Sequence, residues 1–438
     1  MFSLPKSVAQ LPDINEGLQN ARYEQVAPSR DVTLSNFPNG MQHFKWEVSG
    51  NKWWCPQKSY MRYRVRYTKN DENKTQLEEK NQVSPAPFMV SNLYQSAEFL
   101  IGDRVVGRIG QYMAQIDALK QRMSKSKPWL DSLGEVSNFA SVNDSERRGE
   151  VVVDGSLRGA SDLECIWTPP LNIFHQSGCL PSGKYELRLS PENASQFKKN
   201  SVLNGTATDG ANSDAYDFEI TDVYLYIHTI EGANVSNMTY ALDLENIHCQ
   251  ADKIQNAGLT QRYFDVSPST IALAVAYQDV RVNKEKMSGS KFTCSPDAGL
   301  VTYGGGIEQN KLSRFFISYA NMQKPQPDAD PQYDSTANAR KNRIAQRYNE
   351  TQLESAQYFN PAGCETYQEW LARGLYMLYN FPKSGEDSST RVQVNSEFGN
   401  DGGAETQSMR ILLFSISRTS AQITISNGQV SDVVLKER

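Results

Sequence analysis

Residues 91–123, SNLYQSAEFLIGDRVVGRIGQYMAQIDALKQRM, contain the pattern that decides the fold. Two apolar runs favour strands, and Gly102-Asp103 between them marks a tight hairpin turn that needs positive φ. From residue 108 to 123 the apolar residues fall at helical spacing. The three glycines, at 102, 107 and 110, match neither GxxxxGK[ST] nor GxGxxG. They therefore indicate turns and a scaffold, and not a phosphate site.

The rest of the first half of the chain has the texture of short strands. HFKWEVSG, YMRYRVRYTK and AYDFEITDVYLYIHTIEG alternate apolar and polar residues, and turn-forming residues separate them. The second half repeats the arrangement of strands, a helix-bearing excursion and more strands. With no alternation of strands and helices, the pattern predicts two tandem antiparallel β-sandwiches, joined between about residues 230 and 260.

The excursion in the second half predicts two helices. One is a block at residues 335–357, and the other is ETYQEWLARGLYMLYNFP at residues 365–382, which ends at Pro382. The chain then closes with two predicted strands, MRILLFSISR and AQITISNGQVSDVVLKE.

Charge and composition exclude several classes of protein. The net charge is -5, and the first 30 residues carry three basic and three acidic groups, so the N-terminal arm is not a nucleic-acid-binding tail. We expect this arm to contact neighbouring subunits without entering the first sandwich.

The N-terminus lacks the pattern of a signal peptide, and no apolar run approaches the length of a membrane span. The six cysteines have no CxxC spacing and are interpreted as free buried thiols of a protein made in a reducing compartment.

No motif in the sequence predicts catalysis or a metal site. The four histidines are scattered, and there is no GxSxG elbow. Two alternatives stay open. A carbohydrate-binding protein could stack sugars on Trp53, Trp54 and Trp129, and a sandwich-fold hydrolase could use the acid pair Asp217 and Glu219.

The order of the segments resembles the double jelly-roll major capsid proteins of Polinton-like viruses, virophages and adintoviruses. In that family an N-x-L-x-x-S strand leads to a short turn and then to a helix that begins near a tyrosine. The matching positions are Asn92, Leu93, Ser96, Gly102 to Val105 and Tyr112. A second similar segment is PPLNIFHQSGCLPSGKYELRLSP, with Leu171, Phe174, Leu180, Pro181, Leu187 and Leu189 at the family's positions.

The resemblance implies a mainly β protein with three parts. These are an extended arm at residues 1–30 and two eight-stranded jelly rolls at residues 31–235 and 236–438. It implies a structural protein of the virion, made in the host cytosol, with no enzymatic activity, cofactor or metal. Its partners would be two further copies in a pseudo-hexameric trimer, then neighbouring capsomers in an icosahedral shell, a penton and minor capsid proteins, but no specific nucleic-acid sequence.

The excursions at residues 108–135 and 335–381 carry more apolar surface than one barrel can bury. We therefore expect part of each to pack against a neighbouring subunit or across the two barrels. The candidate interface residues are Ile116, Leu119, Tyr367, Trp370 and Leu371.

Overall fold

The computed structural model describes most of the chain. The described residues are 19–30, 40–69, 71–73, 75, 83–85, 89–130, 132–137, 152–153, 156–157, 163–176, 178–192, 202–204, 216–232, 237–254, 258–279, 312–325, 337–355, 366–367, 370, 376–382, 389–398 and 409–437.

Strands dominate the first half of the chain. In chain order they are β1 (Gln19–Val26), β2 (Gln42–Val48), β3 (Lys52–Trp54), β4 (Tyr60–Lys69), β5 (Val83–Pro85), β6 (Tyr94–Ile101), β7 (Arg104–Ile109), β8 (Val152–Val153), β9 (Ser156–Leu157), β10 (Leu163–Trp167), β11 (Gly183–Pro191), β12 (Val202–Asn204) and β13 (Tyr216–Glu231). One sheet has the order β1-β13-β4-β10 with β3 also beside β13, and a second has the order β2-β11-β6-β7. The short strands form two further pairs, β5 with β12 and β8 with β9.

The second half repeats this architecture. Its strands are β14 (Asn237–Lys253), β15 (Gly258–Asp265), β16 (Thr270–Asp279), β17 (Leu312–Tyr319), β18 (Met322–Lys324), β19 (Tyr376–Asn380), β20 (Arg391–Phe398), β21 (Met409–Ser426) and β22 (Gln429–Glu437). They form a five-stranded sheet, β14-β21-β16-β19 with β22 beside β21, and a four-stranded sheet, β15-β20-β17-β18. The protein is therefore mainly β, with two tandem antiparallel jelly rolls, as the sequence predicts. Among the described residues, the two main sheets of each jelly roll together have nine strands, one more than the expected eight.

Five α-helices are inserted among the described strands. They are α1 (Met89–Asn92), α2 (Met113–Ser124), α3 (Lys127–Leu130), α4 (Leu133–Val136) and α5 (Ala337–Ser355). Two 3-10 helices, Pro56–Lys58 and Asn172–His175, lie in the first half. Helix α5 falls within the block at residues 335–357 that the sequence predicts to be helical.

The stretch at residues 91–123 folds as a hairpin followed by a helix. Ile101 pairs with Arg104, and Gly102 turns the chain with a φ of 59°. The predicted tight turn is confirmed. The helix begins later than residue 108, because pairing with β6 continues as far as Ile109.

Alternating burial explains why the strands form sandwiches. In β2 every second side chain, from Gln42 to Val48, is buried. The ring of Trp54 lies at the centre of the first core, with ring centroids 5.0 Å from Trp46, 5.1 Å from Tyr185 and 5.4 Å from Phe99. Buried side chains form one cluster that continues from this core into the second half of the chain.

Sheet membership divides at one place in the chain. Every described strand up to Glu231 pairs only with strands of the first half, and every described strand from Asn237 pairs only with strands of the second. The predicted domain boundary after residue 235 falls between these strands, at residues outside the described ranges, and stays a prediction.

Part of the predicted N-terminal arm is a strand of the first jelly roll. β1 pairs antiparallel with β13 from Gln19 opposite Glu231 to Val26 opposite Leu225. The ring centroid of Tyr23 lies 4.7 Å from that of His228. The expectation of an arm outside the sandwich is therefore wrong for Gln19–Val26, because these mostly polar residues form a strand only through pairing with the distant β13.

The helix predicted at residues 365–382 does not extend to its predicted end. Tyr376–Asn380 is the strand β19, which pairs with β16 and is buried at every residue. A short run of apolar residues fits a buried strand as well as a buried helix, and pairing with β16 decides between them.

Trp370 anchors the chain just before β19. Its indole Nε1 donates a hydrogen bond to the carbonyl oxygen of Tyr376 at 3.1 Å, and its ring centroid lies 5.4 Å from that of Tyr348 in α5. The side chain is 1% exposed. It therefore fixes helix α5 against the second jelly roll of the same chain.

We predict that removal of β1 destabilises the first jelly roll. A chain lacking residues 1–26 should unfold at a lower temperature than a chain lacking residues 1–18, because only the first loses the pairing with β13. Differential scanning calorimetry of the two truncated proteins measures the difference. Equal unfolding temperatures would show that β1 contributes nothing to the sandwich.

We also predict that Trp370→Ala lowers the free energy of unfolding by about 3–5 kcal/mol, through lost burial and the cavity left behind. Leu353→Ala is the matched control on α5, since Leu353 is 63% exposed, and its effect should stay within about 0.5 kcal/mol. Urea unfolding of both variants provides the comparison. Similar midpoints for the two would contradict the anchoring role of Trp370.

Candidate functional site between the two jelly rolls

Helix α2 lies between the two jelly rolls. All of its residues from Met113 to Met123 are buried, and the helix contacts β6 of the first jelly roll and β14 of the second. The predicted interface residues Ile116 and Leu119 are 1% and 0% exposed. Because both side chains are buried within the subunit, they cannot contact another subunit. They remain candidates only for the contact between the two jelly rolls.

A ribbon of the second jelly roll reaches the first one. β14 pairs with β21 along its whole length, while β21 pairs with β16 over its first half and with β22 over its second. We call β14, the second half of β21, and β22 the junction ribbon. Its Val430 N–H donates to the main-chain carbonyl oxygen of Ser182 at 3.0 Å, and the main-chain carbonyl oxygen of its Asp243 accepts a hydrogen bond from Gln176 Nε2 at 3.1 Å.

The ribbon approaches the first jelly roll so closely that a side chain at Gly183 would require Val430 to shift. A Cβ added there would lie 3.1 Å from Cγ2 of Val430. Tyr240 and Leu244 of β14 are buried at the same junction. Close packing and main-chain hydrogen bonds together fix the position of one jelly roll against the other.

A buried carboxylate lies on the side of α2 that faces the first jelly roll. Asp117 accepts hydrogen bonds from the Trp167 indole at 3.0 Å, from the Gln121 amide at 3.1 Å and from the Ser91 hydroxyl. Burial raises the pKa of Asp117, and these three donors oppose the increase. With both carboxylate oxygens engaged, Asp117 is suited to hold α2 in place and not to exchange protons with a substrate.

A buried lysine lies one turn further along α2. Lys120 Nζ donates to the Pro170 oxygen at 2.9 Å. Burial lowers the pKa of Lys120 to about 7, although the charges of Asp117 and Glu245 favour its protonated form. Glu245 lies on β14 of the second jelly roll, and burial raises its pKa despite an ion pair with Arg418 at 3.3 Å. Lys120 of the first jelly roll and Glu245 of the second therefore affect each other's pKa at this junction.

A cavity of about 460 Å³ opens beside α2 on the first jelly roll. Asp117 lies in its wall, together with Trp129, over whose ring Lys125 Nζ lies at 5.1 Å. Three exposed apolar side chains also line it, and we call them the Tyr23 patch: Tyr23, Leu133 and Val136.

The structure buries two of the three tryptophans predicted for a sugar-binding site and does not describe the side chains of the acid pair predicted for a hydrolase. Trp53 and Trp54 are 3% and 0% exposed and cannot stack on a sugar, whereas Trp129 is partly exposed. The side chains of Asp217 and Glu219 lie outside the described part of the structure. Within the described ranges, no three His, Cys, Asp or Glu side chains converge as a metal site would require.

The described aromatic side chains of the second predicted excursion pack against helix α5 within the second jelly roll. Tyr367 is partly buried, with its ring centroid 5.5 Å from that of Tyr348 and 6.5 Å from that of Trp370. Leu371 lies outside the described residues. A role for this cluster against a neighbouring subunit stays a prediction.

Sequence reasoning missed the junction ribbon, because it divided Met409–Ser426 between two strands. The signal was present, since these 18 residues contain neither glycine nor proline. A typical strand has about five or six residues, so the excess length indicates a strand that extends beyond its own sandwich.

Among the described helices, none combines the length and the apolar character that crossing a bilayer requires.

No family model matches the chain, and a search of curated proteins finds no match. Solved structures do match it along nearly its whole length. A chain of the Sputnik virophage particle has a TM-score of 0.63 at 11% identity, covering 96% of this chain and 89% of the other. The mavirus major capsid protein has a TM-score of 0.55 at 10% identity, with 95% and 90% covered. The faustovirus major capsid protein has a TM-score of 0.51 at 9% identity, with 93% and 90% covered.

At these identities the likeness concerns the fold, and it includes both sandwiches in their order along the chain. The protein therefore has the double jelly-roll fold of viral major capsid proteins of the virophage and mavirus type.

Proposed function

We propose that this protein is the major capsid protein of a DNA virus and that three copies form a pseudo-hexameric capsomer of an icosahedral shell. The observation that carries the proposal is the double jelly-roll fold, shared along 95% of the chain with the mavirus major capsid protein. Two similar barrels side by side occupy about one third of a ring, and three such subunits close it.

The junction between the jelly rolls supports this role. A shell subunit must keep its two barrels at one angle, since a small rotation would move the outer edges by many ångströms. Helix α2 and the junction ribbon supply apolar packing and hydrogen bonds across the joint. We assign Ile116 and Leu119 to this internal contact.

The proposal places the protein in the virion after synthesis in the host cytosol. Its partners are two further copies in the trimer, then neighbouring capsomers, a penton and minor capsid proteins. It assigns the chain no catalytic role, because Asp117, the buried acid beside the cavity, has its oxygens engaged by donors of the same chain.

We further propose that the Tyr23 patch is part of the contact between subunits. Leu133 is 62% exposed, Tyr23 50% and Val136 42%, and all three border one cavity. Adjacent exposed apolar side chains on a soluble protein mark an interaction surface. A permanent interface of this kind buries on the order of 2,000 Å² and has an apolar centre.

We predict that the purified protein is a trimer over a wide range of concentration. Leu133→Asp combined with Val136→Asp should shift it towards monomers, because two carboxylates would be desolvated in the interface. Multi-angle light scattering after size exclusion measures the mass.

Leu133→Met is the matched control and should remain a trimer, since it keeps an apolar side chain of similar volume. A monomeric native protein would overturn the capsid proposal. A double variant that stays trimeric would remove the Tyr23 patch from the interface and leave the capsid proposal standing.

We predict that Lys120→Met changes how stability depends on pH. The pKa of Lys120 is about 7 in the folded protein and has its usual value of about 10.5 in the unfolded chain. Between these values the unfolded chain binds the additional proton, so stability of the native protein rises with pH in this window. We therefore compare the free energy of unfolding of Lys120→Met with that of the native protein. The value for the variant minus the value for the native protein should be highest near pH 7 and fall towards pH 10, by at most about 1.4 kcal/mol per pH unit.

Urea unfolding at several pH values tests this prediction. Lys436→Met is the control, because the Lys436 side chain is exposed. The difference from the native protein should be independent of pH for Lys436→Met. If the difference were also independent of pH for Lys120→Met, burial would not lower the pKa of Lys120.

A further inference from the structure

Two buried cysteines meet at the end of the first jelly roll that contacts the junction ribbon. The Sγ atoms of Cys55 and Cys179 are 2.8 Å apart, and the two residues are 2% and 1% exposed. They are 124 positions apart in the chain. Neither takes part in the proposed capsid contacts.

The backbone brings these cysteines together in a defined geometry. Trp54 and Leu180 exchange both of their main-chain hydrogen bonds, at 2.8 and 2.7 Å. Cys55 follows Trp54 in an extended conformation, and Cys179 precedes Leu180. They are therefore directly opposite each other in the next position of an antiparallel ladder, where no hydrogen bonds are exchanged and Cα atoms lie about 4.5 Å apart. This separation is within the range of about 4.4–6.8 Å that a disulfide spans.

We propose that Cys55 and Cys179 form a disulfide bond when the protein leaves a reducing environment. With glutathione disulfide as the oxidant, one cysteine thiolate attacks it and forms a mixed disulfide, releasing one glutathione. The second thiolate then attacks the cysteine sulfur of the mixed disulfide, forms the Cys55–Cys179 bond and releases the second glutathione. The two thiol protons end on the two glutathione molecules, so the exchange is balanced.

The environment makes the reduced pair slow to react. The hydrogen bond between the two thiols and their burial raise the pKa of Cys55 well above its usual value. Since the thiolate is the attacking species, oxidation proceeds through transient opening of this end of the jelly roll and is faster at alkaline pH. In a reducing compartment the pair stays as thiols.

The bond would fix the segment that receives the junction ribbon. Ser182 lies three residues after Cys179. Its main-chain carbonyl oxygen accepts the hydrogen bond from the Val430 N–H, and its hydroxyl donates to the main-chain oxygen of Gly50 at 2.7 Å. A disulfide closing a loop of 124 residues restricts the unfolded chain strongly. Oxidation therefore strengthens the first jelly roll at its contact with the second.

The full-length protein tests this proposal. Reduced protein is incubated with glutathione disulfide at pH 8.5, with and without urea below the unfolding transition, then acidified, denatured, alkylated and digested. We expect mass spectrometry to find a peptide pair linked through Cys55 and Cys179, with Cys165 and Cys249 alkylated. The oxidised protein should unfold roughly 5–10 °C higher than the reduced protein.

Matched serine variants give the controls. Cys55→Ser and Cys179→Ser should each lose the linked peptide and the increase in unfolding temperature, while Cys165→Ser should retain both. Alkylation of Cys55 and Cys179 after oxidation in urea, where opening is not limiting, would overturn the proposal. Linkage of either cysteine to a different partner would overturn it as well. Neither result depends on whether the protein forms a shell.

Discussion

The structure depends on the complete burial of helix α2. A helix with only one buried face needs one neighbour, but the residues from Met113 to Met123 are buried on every side. Such a helix requires surfaces on both sides, and the two jelly rolls provide them. The first jelly roll contributes β6 and the second contributes β14. Each barrel therefore completes the core of the other, and the buried cluster continues through both.

The long strands extend this constraint along the whole junction. β14 has 17 residues and β21 has 18, which at about 3.3 Å per residue makes each roughly 55–60 Å long. One sandwich needs only part of that length. The remainder, closed by β22, lies against the first jelly roll at Ser182 and Gln176. Because these strands are paired continuously, the contact and the second core belong to the same sheet.

The sequence predicts features that depend on neighbouring residues in the chain. The turn at Gly102 and the alternation of β2 are of this kind, and helix α5 begins and ends near its predicted bounds. Features that depend on distant partners were missed. β1 is a strand because β13 offers an edge, and β19 is a strand because β16 does. The predicted interface residues were recognised as apolar, but whether they meet another barrel or another subunit depends on where β14 lies.

The polar residues of α2 fix the rotation and the position of this helix within the packing. A purely apolar helix between two barrels could rotate or shift by one turn, about 5.4 Å, and still be buried. Asp117 and Lys120 prevent such a shift, because only the observed position brings Trp167 to the carboxylate and the Pro170 oxygen to the ammonium group. Each of these buried polar groups, left without its partners, would cost about 1–3 kcal/mol. Burial therefore holds the two jelly rolls together, and the polar groups of α2 fix the position of this helix on the first one.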